Sequence, residues 1–270
     1  MTTSEPVRLA ITGATGRMGG ELRAGAAERD DVDVVLVADH PDNLDELSPD
    51  GDEDPVTGAH VGSATELSTL LEAHAVDVLV DFTVADACVP AVEAAGVAGV
   101  AAVVGTTGLD DDQLDALREV ATEAPVLKAA NFARGVQALL DVVGAAAAAM
   151  EGYDAELLET HHNGKVDAPS GTAKRILREL EAARGGDEED RVHGREGDAP
   201  REDGEVGVHA VRAGDVTGIH ELVLAGNHEE LRITHRAEDR GVFAAGALDA
   251  AAWLAGREAG WYEFSDVLGG

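Results

Sequence analysis

The stretch that decides the fold is Val-Arg-Leu-Ala-Ile-Thr-Gly-Ala-Thr-Gly-Arg-Met-Gly, which occupies residues 7 to 19. The run from 7 to 12 is mostly apolar and predicts a buried strand. Gly13, Gly16 and Gly19 come next, and a segment of helical composition follows them. Strand, glycine turn and helix in this order are typical of a dinucleotide-binding segment, where a pyrophosphate lies against bare backbone and helix N–H groups.

A second apolar run extends this interpretation. Residues 32 to 38 predict another buried strand, and Asp39 stands at its end. An acid about 20 residues beyond the last glycine is placed to accept hydrogen bonds from the ribose hydroxyls of adenosine. Together with the glycine turn, this arrangement predicts a nucleotide site.

Strands and helices then alternate, which predicts a doubly wound parallel sheet of the Rossmann type with ligands at the carboxyl ends of its strands. Residues 40 to 58 are polar and acidic and predict a mobile loop before these units. The predicted helices are 64–73, 85–95 and 110–121, and the predicted strands are 76–82, 99–104 and 125–128. Gly105-Thr106-Thr107 and Ala130-Asn131 fall at strand ends, which favours ligand contact, although turn formation alone is the alternative.

Residues 156 to 174 hold the densest group of proton donors in the chain. A strand is predicted to lead into His161 and His162, followed by Lys165, and Ser170 is a natural N-cap for the next helix. Neighbouring residues of a strand point to opposite faces, so the alternative is one surface histidine and one held by hydrogen bonds. The spacing does not favour zinc, and we predict no metal.

The chain changes character from residue 133 onward. A helix is predicted over 133–150, and 207–212, 219–225 and 231–236 alternate as half-buried antiparallel strands do. His220 and His235 are interpreted as sheet-face residues. Residues 185 to 204 are charged and predict a flexible loop. We therefore predict a dinucleotide-binding domain formed by residues 1–132 and 241–270. An inserted mixed α/β domain, residues 133–240, is predicted to bind substrate and to form the oligomer. The C-terminal part of the first domain is predicted to contain a helix over 241–255 and an aromatic cluster at 261–264.

Composition excludes several classes of protein. The 270 residues include 53 acidic and 20 basic side chains, a formal charge of −33, which repels nucleic acid and anionic membrane. We expect neither as a partner, and we expect salt to screen the self-repulsion. The single cysteine, Cys88, allows no internal disulfide, and no secretion signal is evident. The expectation is a soluble cytoplasmic protein.

Five motifs, in this order along nearly the whole chain, resemble the 4-hydroxy-tetrahydrodipicolinate reductase (dihydrodipicolinate reductase) family. They are Gly13-Ala-Thr-Gly-Arg-Met-Gly19, Gly105-Thr-Thr-Gly108, Ala129-Ala-Asn-Phe132, Glu159-Thr-His-His-Asn-Gly-Lys-Val-Asp-Ala-Pro-Ser-Gly-Thr172 and Arg212-Ala-Gly-Asp215. The resemblance implies a homotetramer built largely through the sheet of the inserted domain. It also implies the reduction of a cyclic imine dicarboxylate in lysine biosynthesis through diaminopimelate, with hydride delivered to C4 after the 4-hydroxyl leaves as water.

The resemblance also assigns residues. It implies that His161 and Lys165 are catalytic, the lysine as proton donor, and that His162, Lys165, Gly171 and Thr172 contact substrate. NADH and/or NADPH is the implied cofactor. The predicted cofactor-binding residues are Gly13, Ala14, Thr15, Gly16, Arg17, Met18, Asp39, Gly105, Thr106, Thr107, Ala129, Ala130, Asn131 and Phe132.

The chemistry of these side chains agrees with that assignment. Hydride addition to a conjugated imine leaves an enamine that must be protonated. A lysine and a histidine with a pKa near ~6.5 are both able to supply that proton at neutral pH. The substrate's carboxylates need donors, which Lys165 and the backbone N–H groups of Gly171 and Thr172 would provide.

Two positions depart from the family's pattern. Many relatives place an arginine after the ribose acid, where this chain has His40, and a basic residue where it has Val84. Arg17 is the residue left to reach a 2′-phosphate, so we expect both cofactors to be used, with NADH at least as good. A nicotinamide enzyme acting on another amino or hydroxy acid, and a nucleotide-binding sensor without catalysis, are the alternatives.

Overall fold

A computed structural model describes residues 5–49, 51–185 and 190–269 of the chain. The chain forms two compact units, which are described separately below. The first unit comprises residues 1–132 and 240–270, and the second comprises residues 133–239. Arg240 therefore belongs to the first unit, whereas the sequence analysis placed it in the second.

The first unit is built on a seven-stranded sheet in which every pairing is parallel. Its strand order is β12-β6-β5-β4-β1-β2-β3. The direction of winding reverses between β1 and β4, and such a switch point is where doubly wound sheets bind ligands. The predicted Rossmann-type sheet is confirmed. The strands are β1 Val7–Thr12, β2 Val32–Asp39, β3 His60–Ser63, β4 Val78–Asp81, β5 Ala101–Val104, β6 Pro125–Lys128 and β12 Gly260–Tyr262.

Helices cover both faces of this sheet, which explains why β4 and β5 are buried at every position. One core packs against α1 and α8, and the other against α3, α4 and α5. The helices of the first unit are α1 Arg17–Ala26, α2 Leu44–Leu47, α3 Leu67–Ala73, α4 Ala85–Val97, α5 Asp111–Val120, α8 Gly241–Leu254 and α9 Phe264–Val267. Within the described residues, no helix of either unit is long and apolar enough to cross a membrane.

The predicted mobile loop at 40–58 is wrong for its described residues, which are tied to the sheet. They contain α2, and Asp54 is buried while it accepts hydrogen bonds from Arg23 and Thr57. The strand β3 was missed as well, because its four residues lack an apolar pattern. Long-range contacts that composition does not encode hold both segments.

The chain's last segment completes the first unit. The strand β12 pairs with β6, and Phe264 packs edge-on against Phe132 with ring centroids 5.3 Å apart. Trp253 is only half-buried, and the Arg257 guanidinium lies 3.4 Å from its ring centre. Gly246 of α8 faces the carbonyl of Phe132 so closely that a Cβ atom would collide with it.

The second unit is a five-stranded mixed sheet in the order β11-β10-β7-β9-β8. The strand β9 runs parallel to β7 and β8, so the antiparallel prediction for 207–212 is wrong; alternating burial does not report strand direction. The strand β8 lies in the predicted loop 185–204, whose residues 186–189 fall outside the described ranges. The strands are β7 Asp154–His161, β8 Arg191–His193, β9 Val206–Arg212, β10 Gly218–Gly226 and β11 Glu229–Ala237.

Two helices cover one face of this mixed sheet. They are α6 Arg134–Ala149 and α7 Gly171–Arg184, which pack against each other, and α7 also packs against β7. The side chains of Leu157 and Leu222 point into this layer and are almost fully buried. The predicted inserted mixed α/β fold is confirmed.

We expect Gly246→Ala to lower the free energy of unfolding of the first unit by about 1–3 kcal/mol, because the new methyl group meets backbone that cannot move aside. Urea titration in molar salt, followed by circular dichroism, measures the change. Gly144→Ala in α6 is the control, since its Cβ would meet open space, and we expect no loss. Equal effects of the two substitutions would contradict the packing.

Candidate active site

The glycine turn after β1 is shaped by close backbone contacts. Gly13 has φ +70°, and a Cβ atom there would lie 2.9 Å from the Phe82 carbonyl oxygen. A Cβ atom on Gly19 would collide with the Gly13 carbonyl, so this glycine lets α1 approach the turn. Both positions therefore require glycine for steric reasons. The turn leaves bare backbone at the start of α1, as a pyrophosphate site needs.

Asp39 fastens the end of β2 to this turn. Its Oδ2 accepts hydrogen bonds from the backbone N–H of Thr15 at 2.9 Å and from the Thr15 hydroxyl at 2.8 Å. Its Oδ1 accepts from the His40 N–H and the Asn43 side chain, both at 2.8 Å. Burial works to raise the pKa of Asp39, but these hydrogen bonds outweigh it and lower the pKa. The carboxylate therefore orders the turn and β2 together.

A second carboxylate, Asp81, gathers three hydroxyl groups at the end of β4. It is fully buried and accepts hydrogen bonds from Thr12, Thr83 and Thr106. Asp81 and Thr83 are not among the site residues predicted from the motifs. An acid that ends an otherwise apolar strand was the available signal, as it was for Asp39.

The other predicted cofactor residues lie at the same edge of the sheet. Gly105 packs under the ring of Phe82, where a Cβ atom would collide with the ring, and Phe82 in turn contacts Phe132. Arg17, Thr107 and Ala130 are exposed, Met18 and Asn131 are half-buried, and Ala14, Ala129 and Phe132 are buried. These positions all lie at or just after the carboxyl ends of β1, β5 and β6.

In the second unit, the predicted catalytic histidine is fixed by a carboxylate that the sequence analysis did not single out. Glu159 is fully buried in β7, two residues before His161 and on the same face of the strand. Its Oε2 lies 2.6 Å from His161 Nδ1, and Arg212 donates to its two oxygens at 2.8 and 2.7 Å. The N–H of Ser170 donates to it at 3.0 Å. The two-residue spacing was the signal for Glu159.

This environment sets the charge of His161. Burial lowers the pKa of His161, and nearby Lys165 and Arg212 lower it further against the opposing effect of Glu159. The imidazole is therefore neutral at pH 7. Since a carboxylate only accepts hydrogen bonds, Nδ1 carries the proton and Nε2 presents a lone pair. The expectation that this histidine supplies protons at neutral pH is not supported by its surroundings.

Nε2 of His161 lies over Gly218, where a Cβ atom would approach it to 3.1 Å. His220 stacks edge-on against His161, with ring centroids 5.1 Å apart, and its Nε2 lies 3.0 Å from the Ser170 hydroxyl. His220 was interpreted as a sheet-face residue. The structure confirms this position: His220 lies in β10 against His161, with 3% of its surface exposed.

Lys165 occupies the loop between β7 and α7. Its Nζ lies 2.7 Å from Asp167, and Arg212 donates to the Asp167 carbonyl, which ties the loop to β9. Ser170 caps α7 by accepting the Ala173 N–H at 3.1 Å, as predicted. Gly171 and Thr172 follow in the first turn of α7, and His162 is half-buried at the start of the loop.

No group of three or more metal-ligating side chains occurs among the described residues. The site is instead a set of hydrogen-bond donors and acceptors. A parallel sheet with a glycine turn at its switch point is typical of proteins that bind a pyridine nucleotide.

Comparison with known proteins specifies the family. Residues 7–132 match the dihydrodipicolinate reductase N-terminus, and residues 135–268 match its C-terminus. The chain is 49% identical over 97% of its length to 4-hydroxy-tetrahydrodipicolinate reductase of Haloarcula marismortui, covering 98% of that protein. The chain is also 52% identical to the 4-hydroxy-tetrahydrodipicolinate reductase of Natronomonas pharaonis. That similarity covers 97% of this chain and 100% of the relative. This chain belongs to the dihydrodipicolinate reductase family, a family of oxidoreductases.

A solved structure shares the fold. It is that of dipicolinate-bound dihydrodipicolinate reductase from Paenisporosarcina sp. TG-14, with a TM-score of 0.72 and 23% identity. The similarity covers 96% of this chain and 97% of that one.

We expect acid to destabilise the second unit through His220. Burial is the main cause that lowers the pKa of His220 from 6.5 to about 3. Between pH 6.5 and pH 3, the histidine therefore binds a proton in the unfolded chain but not in the folded chain. Stability is therefore lost as the pH falls below 6.5. His220 alone accounts for about 2 kcal/mol between pH 7 and pH 5.

Urea titrations at pH 7 and pH 5 in constant molar salt measure this loss. His220→Gln should flatten the pH dependence, whereas His193→Gln, at an exposed position of the same unit, should leave it unchanged. An undiminished slope in His220→Gln would contradict the assignment.

Proposed function

We propose that the chain catalyses the NAD(P)H-dependent reduction of 4-hydroxy-tetrahydrodipicolinate to tetrahydrodipicolinate, in the diaminopimelate route to lysine and in the cytoplasm. The names of the relatives support the substrate. The observation that carries the proposal is the Glu159–His161 pair in the loop-and-helix setting that also holds Lys165. His161 as a neutral acceptor, Lys165 as a cationic donor and the N-terminus of α7 all lie within one segment of the chain.

The first unit fits the cofactor. Side chains at Gly13 and Gly19 would collide with backbone, so the turn is kept bare where a pyrophosphate would bind. When bound, the cofactor supplies a hydride. Asp39 would meet the adenosine ribose if its present hydrogen bonds rearrange. The residues proposed to hold the cofactor are Gly13, Ala14, Thr15, Gly16, Arg17, Met18, Asp39, Gly105, Thr106, Thr107, Ala129, Ala130, Asn131 and Phe132.

The second unit would bind a dicarboxylate. The N–H groups of Gly171 and Thr172 lie in the first turn of a 14-residue helix, whose dipole favours an anion at that end. Lys165 adds a positive charge, and His162 lies at the start of the same loop. In a protein with a formal charge of −33, such donors focus an anionic substrate locally.

Proton delivery follows from the charges of the two catalytic candidates. Reduction of a conjugated imine leaves an enamine that takes a proton on carbon. His161 is neutral at pH 7 and offers Nε2 as an acceptor, so Lys165 is the donor. Asp167 holds the lysine's Nζ at 2.7 Å until substrate carboxylate replaces it. His161 orients the reacting groups by accepting a hydrogen bond.

The residues near the ribose acid favour NADH. His40 turns toward Asp42, whose N–H it accepts at 3.3 Å and whose carboxylate lies 3.5 Å from its Nδ1. With Asp39 beside them, these groups present negative charge where a 2′-phosphate would add more. Arg17 is exposed on the first turn of α1 and is the counter-charge for NADPH. We propose that both cofactors work and that NADH is at least as good.

Lys165→Met and His161→Ala should each lower kcat by at least about 100-fold, because proton transfer and orientation each contribute on that order. Oxidation of NADH at 340 nm, with freshly prepared synthase product in molar salt, measures turnover. Cofactor affinity, measured by calorimetry, should stay within a factor of about two. Arg178→Met is the charge-matched control, since Arg178 is exposed on α7.

Turnover within a factor of about two of the parent in either variant would remove that residue from its role. Failure of the parent chain to oxidise NADH with this substrate, at any salt concentration, would overturn the proposed function. Tight NADH binding without turnover would point to a nucleotide sensor.

We also propose that the chain is a homotetramer assembled through its mixed sheet. Helices cover one face, and the opposite face carries Leu158 and Val211 with exposed fractions of 36% and 44%. Register places Leu158 opposite Glu221 on β10, which pairs with Arg232 at 2.8 Å. An apolar centre with paired charges around it is suited to contact with a second copy.

Leu158→Lys should lower the oligomeric order, because it places a charge in each copy of the apolar centre. Light scattering after size-exclusion chromatography, across a salt series, measures the mass. Val97→Lys is the control, at an exposed apolar position of the first unit. An unchanged tetramer in Leu158→Lys would contradict this interface.

A further inference from the structure

The turn between His162 and Lys165 carries the one Asn-Gly pair of the chain. Asparagine occurs four times, and the residues that follow it are Leu44, Phe132, Gly164 and His228. The backbone nitrogen of the next residue can attack an asparagine side chain, and a glycine there has no Cβ atom to obstruct the approach. By sequence, Asn163 is therefore the asparagine most open to this reaction.

The structure leaves both reacting groups of this pair accessible. Asn163 and Gly164 are exposed. The turn is closed by the Lys165 N–H, which donates to the His162 carbonyl at 3.1 Å, and the Asn163 N–H donates to the Gly214 carbonyl at 3.0 Å. In the part of the chain that the structure describes, neither the Gly164 N–H nor the Asn163 side chain has a hydrogen-bond partner. Hydrogen bonds therefore fix the ends of the turn but not the two groups that would react.

The other three asparagines lie in different surroundings. The Asn43 side chain donates to Asp39 at 2.8 Å. The Asn227 side chain is hydrogen-bonded to the Tyr153 hydroxyl. Asn131 is half-buried at the end of β6. Asn163 is the asparagine that combines an exposed amide with a glycine as its successor.

We propose that Asn163 is a site of spontaneous deamidation whose products weaken the substrate site. The Gly164 nitrogen loses its proton and bonds to Asn163 Cγ, and the Cγ–Nδ2 bond breaks, so that ammonia leaves and a cyclic imide remains. Water then adds to one ring carbonyl and breaks its bond to nitrogen. Opening at Cγ gives aspartate, and opening at the main-chain carbonyl gives isoaspartate. The sum is one water consumed and one ammonia released, without oxidant or reductant.

The effect on turnover rests on the proposed function. Aspartate at position 163 adds a negative charge in the same turn as Lys165, whose Nζ already lies 2.7 Å from Asp167. Such a charge repels an anionic substrate from the donors of the loop. Isoaspartate also routes the main chain through Cγ, which lengthens the backbone between His162 and Lys165 and displaces the lysine from its reacting position.

Peptide mapping after ageing in mildly alkaline molar salt tests the modification itself. Trypsin should release 135–165, in which Asn163 is the asparagine, and 213–232, which contains Asn227 as the internal reference. We expect a gain of about 1 Da at Asn163. Its rate should be at least about tenfold above that at Asn227, because reactive geometry is worth that much or more. The rate should rise with pH, since the Gly164 nitrogen must lose a proton.

Gly164→Ala is the matched variant. A Cβ atom at this position would lie 3.4 Å from His162 Nδ1, which is an ordinary contact, so the turn should fold as in the parent chain. The added methyl group obstructs the attack, and we expect conversion at Asn163 to slow by at least about tenfold. Turnover of Gly164→Ala should therefore survive ageing that inactivates the parent chain.

Asn163→Asp reproduces one product without ageing. When freshly prepared, it should raise the KM for the dicarboxylate by at least about threefold, because the added charge repels the substrate. Its NADH affinity, measured by calorimetry, should stay within about twofold of the parent value.

The outcomes separate this inference from the proposed function. Conversion at Asn163 no faster than at Asn227, or equally fast in Gly164→Ala, would overturn the modification site. Conversion at Asn163 with unchanged turnover of the aged parent chain would overturn its effect on the substrate site. Mass reports the modification without any substrate, so a parent chain that never oxidises NADH with this substrate would contradict the proposed function and leave the deamidation result standing.

Discussion

The second unit depends on the burial of one carboxylate. Glu159 has no exposed surface, and an unmatched charge in that position would cost several kcal/mol. The structure matches it with the Arg212 guanidinium, the His161 ring and the Ser170 N–H. Each partner comes from a different segment, so satisfying the charge also fixes β9, the end of β7 and the start of α7. Arg212 continues to the Asp167 carbonyl and holds the lysine loop as well.

The first unit solves a similar problem with different partners. Asp81 is equally buried, but hydroxyl groups from the ends of three segments surround it. Asp39 is held by backbone and side-chain donors of the glycine turn and of the residues that follow β2. In both units a carboxylate near the end of a strand ties neighbouring turns together, so hydrogen bonds to that carboxylate also hold the turns that are proposed to bind ligands.

The parts of the fold that were predicted correctly are those that depend on local sequence patterns. The run from 7 to 19 predicts its strand, turn and helix from neighbouring residues alone, and the Ser170 cap is similarly local. The anchoring of Asp54 depends on Arg23, which is 31 residues away. The direction of β9 and the existence of β8 depend on pairing within the sheet. Apolar periodicity carries no information about such partners.

The same distinction applies to the site. His161 and Lys165 stand in a dense motif, whereas Arg212 reaches Glu159 across 53 residues and His220 reaches Ser170 across 50. The charge of His161 depends partly on one of these distant groups, because Arg212, together with burial and Lys165, lowers its pKa. The motif therefore predicts which residues belong to the site, whereas contacts with residues distant in sequence influence their protonation states.

Nitrogen-15 NMR of the His161 side chain, in the parent chain and in Glu159→Gln at pH 7, tests the central claim most directly. The claim predicts a neutral ring protonated at Nδ1 in the parent chain. In Glu159→Gln it predicts a mixture of tautomers, with NADH affinity unchanged and turnover reduced by at least about tenfold. A positively charged ring in the parent chain, or an unaltered Nδ1–H tautomer with full turnover in Glu159→Gln, would contradict it.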